Sequence, residues 1–112
     1  MLPRRKQKNS DRQNAGKRSP GHRKWIRGFV CLVDNEDCDG ETECAHKRDG
    51  TGGGMGVKPS DKWTLPYCRH HHSEQHQIGE APFEKKYGID GIERCKEFAK
   101  ASPKAADLRD MP

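Results

Sequence analysis

Cys68 is followed at three, four and eight residues by His71, His72 and His76 and preceded by Cys31, Cys38, Cys44 and His46, giving more nitrogen and sulfur donors than one metal ion takes. A cluster of this kind confines the chain to folds organised around metal. Only 29% of the 112 residues are hydrophobic. A domain of that size buries too little apolar surface to be comfortably stable without a metal, a disulfide or a partner. The five cysteines are an odd number, and the histidines cluster with them. With no signal peptide read at the N-terminus, the pattern predicts metal binding in a reducing cytoplasm rather than a secreted disulfide framework. No apolar run approaches membrane-spanning length.

The donors divide into two sets. Cys68 and His71 stand at the two-residue gap of a zinc knuckle, whereas His72 and His76 stand at i and i+4, which on a helix places both imidazoles over one face. One helix then serves two ions. For a structural zinc the spacing predicts Cys31, Cys38, Cys68 and His71, with Gly40 allowing the turn after the second cysteine. Cys44 competes with Cys38 for its place, and it neighbours the strand that carries His46. A zinc module without chemistry would leave His46 and His76 without a purpose.

Charge is divided along the chain. Residues 1–27 hold ten Lys and Arg against the single acid Asp11, and the remainder holds twelve bases against sixteen acids. Residues 1–21 are predicted to be a disordered basic tail, 22–102 a metal-organised domain and 103–112 a C-terminal tail. A flexible polycation gains salt-sensitive affinity for a phosphate backbone by releasing condensed counterions. The predicted DNA-contacting residues are Arg4, Arg5, Lys6, Lys8, Arg12, Lys17, Arg18, Arg23 and Lys24, joined by Lys47, Arg48 and Lys58. A merely solubilising tail is the alternative. A membrane surface is disfavoured because the segment lacks an apolar face.

Within the domain, Trp25 to Val30 is a short apolar run leading to Cys31. Thr42 to Lys47 reads as a strand carrying His46, and Trp63 to Tyr67 as a second extended run with Pro66 at an edge. Helices are predicted over 69–77, 81–87 and 90–101, with Ser102 and Pro103 as the stop. The glycine-rich stretch from Asp49 to Gly56 lacks the Gly-Lys-Ser/Thr ending of a P-loop and reads equally as a mobile hairpin connection or as a backbone that approaches a nucleic-acid phosphate closely. Cys95 reads as a small apolar residue, His70 as exposed and His22 as part of the tail.

The order of strand with His, loop, strand and helix with His, closed by a zinc knuckle, resembles the HNH, or ββα-metal, nuclease family. The run Gly53-Gly54-Met55-Gly56-Val57-Lys58-Pro59-Ser60-Asp61 leading to Cys68-Arg69-His70-His71-His72 is similar to small phage and prophage proteins related to the Ref-type recombination nucleases. The likeness covers residues 22–102. It implies a small α+β fold, a ββα-metal core stabilised by structural zinc, and the activity of a metal-dependent DNA endonuclease or nickase working in recombination. A recombinase filament or another phage recombination protein would be its partner, in a bacterial or phage-infected cytoplasm.

Phosphodiester hydrolysis requires a deprotonated water, a cation to bear developing charge and stabilisation of the leaving 3′ oxygen. The resemblance implies His46 as general base, an imidazole being suited to take a proton near neutral pH. It implies His72 and His76 as ligands of a catalytic magnesium or manganese ion, with nickel or zinc also acceptable to imidazole. The chain departs from the family pattern at Ala45, where many relatives place an acidic ligand, and at the middle Asn, where Trp63 falls. Asp61 is the nearby polar group left to orient the base or touch the metal. The alternative function is a zinc-stabilised DNA-binding module without cleavage.

Overall fold

Ser19 and Pro20 start the first of the described helices. The Ser19 hydroxyl accepts the His22 backbone N–H at 3.3 Å, and proline suits the first helical position, whose N–H has no intrahelical partner. Helix α1 runs Pro20–Arg27, with Lys24 and Arg27 in its last turn where cations complement the helix dipole. The computed structural model describes residues 2–3, 16–51 and 58–112. The predicted boundary at residue 21 is therefore displaced: the helix begins before it, and the run from Trp25 is helical as far as Arg27. His22, expected in the tail, is fully buried and meets the Ser102 hydroxyl through Nδ1 at 2.8 Å. Burial lowers its pKa, with partial opposition from the Asp61 charge.

Strands β1 (Thr42–His46) and β2 (Thr64–Cys68) form an antiparallel pair with Cys44 opposite Pro66 and His46 opposite Thr64. All five β2 residues are buried, because α1 and two of the later helices pack on this strand as well as β1. Pro66 lacks an N–H for the ladder, but its carbonyl accepts from Leu32 N–H at 3.0 Å and fastens the loop after α1.

Cys68 ends β2 and caps α2 (Arg69–Ile78), its sulfur accepting the His71 N–H at 3.4 Å. Gly79, at φ 94°, separates α2 from α3 (Glu80–Tyr87). Asp90 then caps α4 (Gly91–Ala101). The expected C-terminal tail is instead partly folded: α5 covers Ala105–Arg109, and Leu108 and Met111 are buried against Ala99. The main core joins Ala45, Leu65, Tyr67, Phe83 and Cys95, with Tyr67 edge-on to Phe83 at 5.2 Å. Burial pushes the Cys95 thiol up to about 12, which leaves it an inert apolar filler. The result is a small α+β unit of one two-stranded sheet and five helices among the described residues. None of those helices is long and apolar enough to cross a membrane.

Candidate metal centre and active site

The loop after α1 carries Cys31 and returns at Cys38 through an Asn35 turn, in which Asn35 accepts the N–H groups of Asp37 and Cys38. Gly40 closes the loop against α2 at φ 82°; a Cβ there would lie 2.8 Å from the Arg69 Cβ, so only glycine fits. The donor atoms of Cys31, Cys38, Cys68 and His71 thereby lie within 4.8 Å of one another. His71 Nδ1 stands 3.1 Å from the Cys68 sulfur, 3.5 Å from Cys38 and 3.6 Å from Cys31. A tetrahedral ion with zinc-like bond lengths places its nitrogen and sulfur ligands about 3.6 Å apart, so this Cys3His cluster could hold a metal ion, as a structural zinc requires. Burial opposes ionisation of Cys68, but N–H groups of His71 and Asp39 bring its pKa below the ordinary thiol value. Cys44, the competing ligand, lies outside the cluster on β1, where its thiol pairs with Thr64.

A second constellation joins β1 to α2. His72 and His76 lie one turn apart, with their Nε2 atoms at 3.2 Å. Two nitrogens bound to one ion at about 2.1 Å and an angle of about 90–110° are about 3.0–3.4 Å apart, so the pair fits two positions of a shared ion. Glu43 supports this arrangement, its Oε1 lying 2.8 Å from His72 Nδ1. A carboxylate at Nδ1 keeps the proton there and turns the Nε2 lone pair outward. Ala45, at the position where the chain departs from the acidic ligand of the nuclease pattern, is buried in the core. The acid that reaches α2 stands two residues earlier on the same face of the strand.

His46 ends β1 and is held from behind. Its Nε2 lies 2.8 Å from Asp61 Oδ1. Asp61 also accepts the Ser19 backbone N–H at 2.7 Å, pairs with Arg18 at 3.4 Å and makes a short contact with Arg23. Burial alone would raise the Asp61 pKa, but His46, the Ser19 N–H and Arg23 lower it to about 2. An ionised partner at Nε2 fixes the proton on that nitrogen and leaves Nδ1 as the acceptor. Of the two roles open to Asp61, the observed contacts favour orienting His46. His46 and His76 line one open cavity of about 430 Å³, with Arg48, Asp49, Gln75, Gly79 and Glu80. Trp63, at the spacing of the missing Asn, instead donates its indole N–H to the Pro112 carbonyl at 3.0 Å.

The Asp61 network sets a pH dependence. Its folded pKa is depressed from 3.8 to about 2, so its stabilising contribution is complete above about pH 4 and is lost as pH falls through about 2. That contribution is on the order of 2 kcal/mol. Denaturant melts of wild type and Asp61→Asn should differ by about this amount at pH 6 and converge toward pH 2. Equal stability at pH 6 would contradict the network.

Several bases expected at phosphate are engaged within the fold. Lys47 is 5% exposed and pairs with Glu84 at 2.6 Å and Glu80 at 3.1 Å, so it is structural rather than DNA-facing. Arg18 and Arg23 are directed to Asp61. Lys17 is half-buried and its carbonyl accepts the Asp61 N–H, while Lys24, Arg48 and Lys58 are exposed. Arg4, Arg5, Lys6, Lys8 and Arg12 lie outside the described residues. Glu43, Ser19 and the inward role of the two arginines were not found by sequence reasoning; Ser19-Pro20 was a readable helix start.

A family described as "Protein of unknown function (DUF968)" matches residues 12–102. The "Uncharacterized protein YdfU" of Escherichia coli (strain K12) is 39% identical over 66 residues, 58% of this chain and 18% of YdfU, so the chain spans less than a fifth of that relative. No solved structure matches the chain.

Proposed function

The chain belongs to the DUF968 family of proteins of unknown function, and we propose that it is a metal-dependent DNA endonuclease or nickase of the HNH, ββα-metal type. The observation that carries this reading is His46, fastened at Nε2 to a carboxylate and opening onto the same cavity as His76. In the proposed reaction Asp61 holds the imidazole, and His46 Nδ1 takes a proton from the attacking water. A divalent ion on His72 and His76 would bear the charge that develops on the phosphate and on the leaving 3′ oxygen. Glu43 keeps the His72 donor nitrogen facing the ion, as carboxylates behind ligating histidines do. The β1–β2–α2 order and the Cys3His cluster agree with a zinc-stabilised core of this type. A role in recombination, with a phage-type partner directing the enzyme on DNA in the cytoplasm, belongs to the same proposal.

A DNA-binding module without cleavage is the second reading. It is favoured by the metal pair itself, since no third His, Cys, Asp or Glu donor joins His72 and His76 among the described residues. Manganese titration of plasmid nicking separates the two. Glu43→Gln should raise the half-saturating manganese concentration about 10- to 100-fold, and His72→Ala should abolish nicking with zinc content unchanged. Nicking with the same manganese dependence in all three proteins would remove the pair from the reaction.

The N-terminal bases enter through DNA affinity. Lys17 to Ser19 are built into the Asp61 network, so a truncation that tests them removes residues 1–15 only. Five bases leave with that segment, and the slope of log affinity against log salt should flatten by up to about 4. An unchanged slope would show that this segment does not contact phosphate.

A further inference from the structure

We propose that a hollow between α4, α5 and Lys62 is a docking site for an acidic peptide segment of a partner protein, its carboxylates held by the rim and an apolar side chain seated on the floor. The hollow has a volume of about 360 Å³; Ala99, Ala105 and Leu108 form its floor, and Lys62, Lys96, Lys100 and Arg109 its rim. It shares no lining residue with the His46 cavity, and the inference does not depend on the nuclease reading. Ala99 and Leu108 belong to a small buried apolar cluster separate from the main core, and half-buried Ala105 lies beside them on the solvent side of the hollow.

The charges are one-sided. Four cations and no carboxylate line the hollow. Glu93 lies 3.4 Å from Lys96 in an exposed pair, and Glu97 is turned to Arg94. Asp107 and Asp110 line a different hollow with Arg18 and Lys104. Lys62, Lys100 and Arg109 are thus without a carboxylate partner among the described residues. The Lys62 ammonium sits 5.5 Å from the Trp63 ring, and Trp63 is itself fixed to the Pro112 carbonyl, so this wall is built.

A nucleic-acid backbone would satisfy the rim but leave the floor unfilled. A peptide that follows several carboxylates with Leu or Phe satisfies both, in a cavity of the size that accepts one or two side chains. The chain's own N-terminal segment is excluded by sign, since ten bases and one acid precede residue 28.

Fluorescence anisotropy of full-length, zinc-loaded protein with a fluorescein-labelled Asp-Glu-Asp-Leu-Phe peptide tests the site. Saturable binding is expected. It should weaken about tenfold or more in Lys100→Glu/Arg109→Glu and in a peptide ending Ser-Ser, and weaken as salt rises from about 0.05 to 0.5 M. Both substituted side chains are exposed, and circular dichroism with zinc content verifies the fold. Should that variant fail to fold, Lys96→Gln/Lys100→Gln gives a milder loss by the same route. No saturation below about 1 mM, or binding unaffected by charge reversal, would overturn the proposal. Oligothymidylate competing better than unlabelled peptide would give the hollow to nucleic acid. Concentration-dependent self-association abolished by the same double variant would give it to a second copy of the chain.

Discussion

Cys68→Ser is expected to release bound zinc and unfold the domain, whereas Cys44→Ser should keep one zinc per chain and a near-native melt. Cys68 is at once the end of β2, the cap of α2 and the thiol nearest His71. The main core holds few large side chains, Leu65, Tyr67 and Phe83 foremost. A structural zinc in a small domain supplies an apparent binding free energy of about 10–16 kcal/mol near neutral pH, which exceeds what such a core alone provides. Chelation should have the same effect as the substitution, and acid should assist it because the thiolates must be deprotonated to bind. The readouts are zinc release to a chromophoric chelator and loss of far-ultraviolet circular dichroism. Zinc lost from Cys44→Ser but kept by Cys68→Ser would contradict the ligand set.

His46→Ala should lower the rate of DNA cleavage by about 10²- to 10⁴-fold, the usual contribution of a positioned base. DNA binding and zinc content should be unchanged, because His46 touches neither the Cys3His cluster nor, among the described residues, the N-terminal bases. Asp61→Asn separates positioning from proton transfer. It removes the charge that holds the imidazole while leaving Nδ1 chemically intact, so a smaller loss is expected, with an altered pH–rate profile. A loss in Asp61→Asn that follows stability alone, with an unshifted profile, would reduce Asp61 to a structural ion-pair centre.

The parts of the molecule legible in the sequence are those fixed by local spacing. Cys68 and His71 announce a knuckle, and His72 and His76 share a helix face whatever surrounds them. The strands at 42–46 and 64–68 were readable to within one residue. Spacing also put Cys38 ahead of Cys44, and the structure agrees, with Cys44 on β1 beside Thr64 and outside the cluster of loop donors. Glu43 meets His72 across a separation of 29 residues, and Asp61 gathers Arg18, Ser19 and Arg23 across about forty. Composition read the N-terminal bases as one polycation, but a buried carboxylate draws two of them inward. The five-residue α5 was too short to show helical periodicity, so Leu108 and Met111 passed as tail.

The central claim is tested most directly on supercoiled plasmid, with magnesium or manganese, comparing wild type and His46→Ala purified alike and each carrying one zinc per chain. The account predicts nicked or linear DNA from wild type alone, with both proteins binding the plasmid equally. Equal cleavage by the two would remove His46 as the base, and binding without cleavage by either would contradict the nuclease reading in favour of a DNA-binding module.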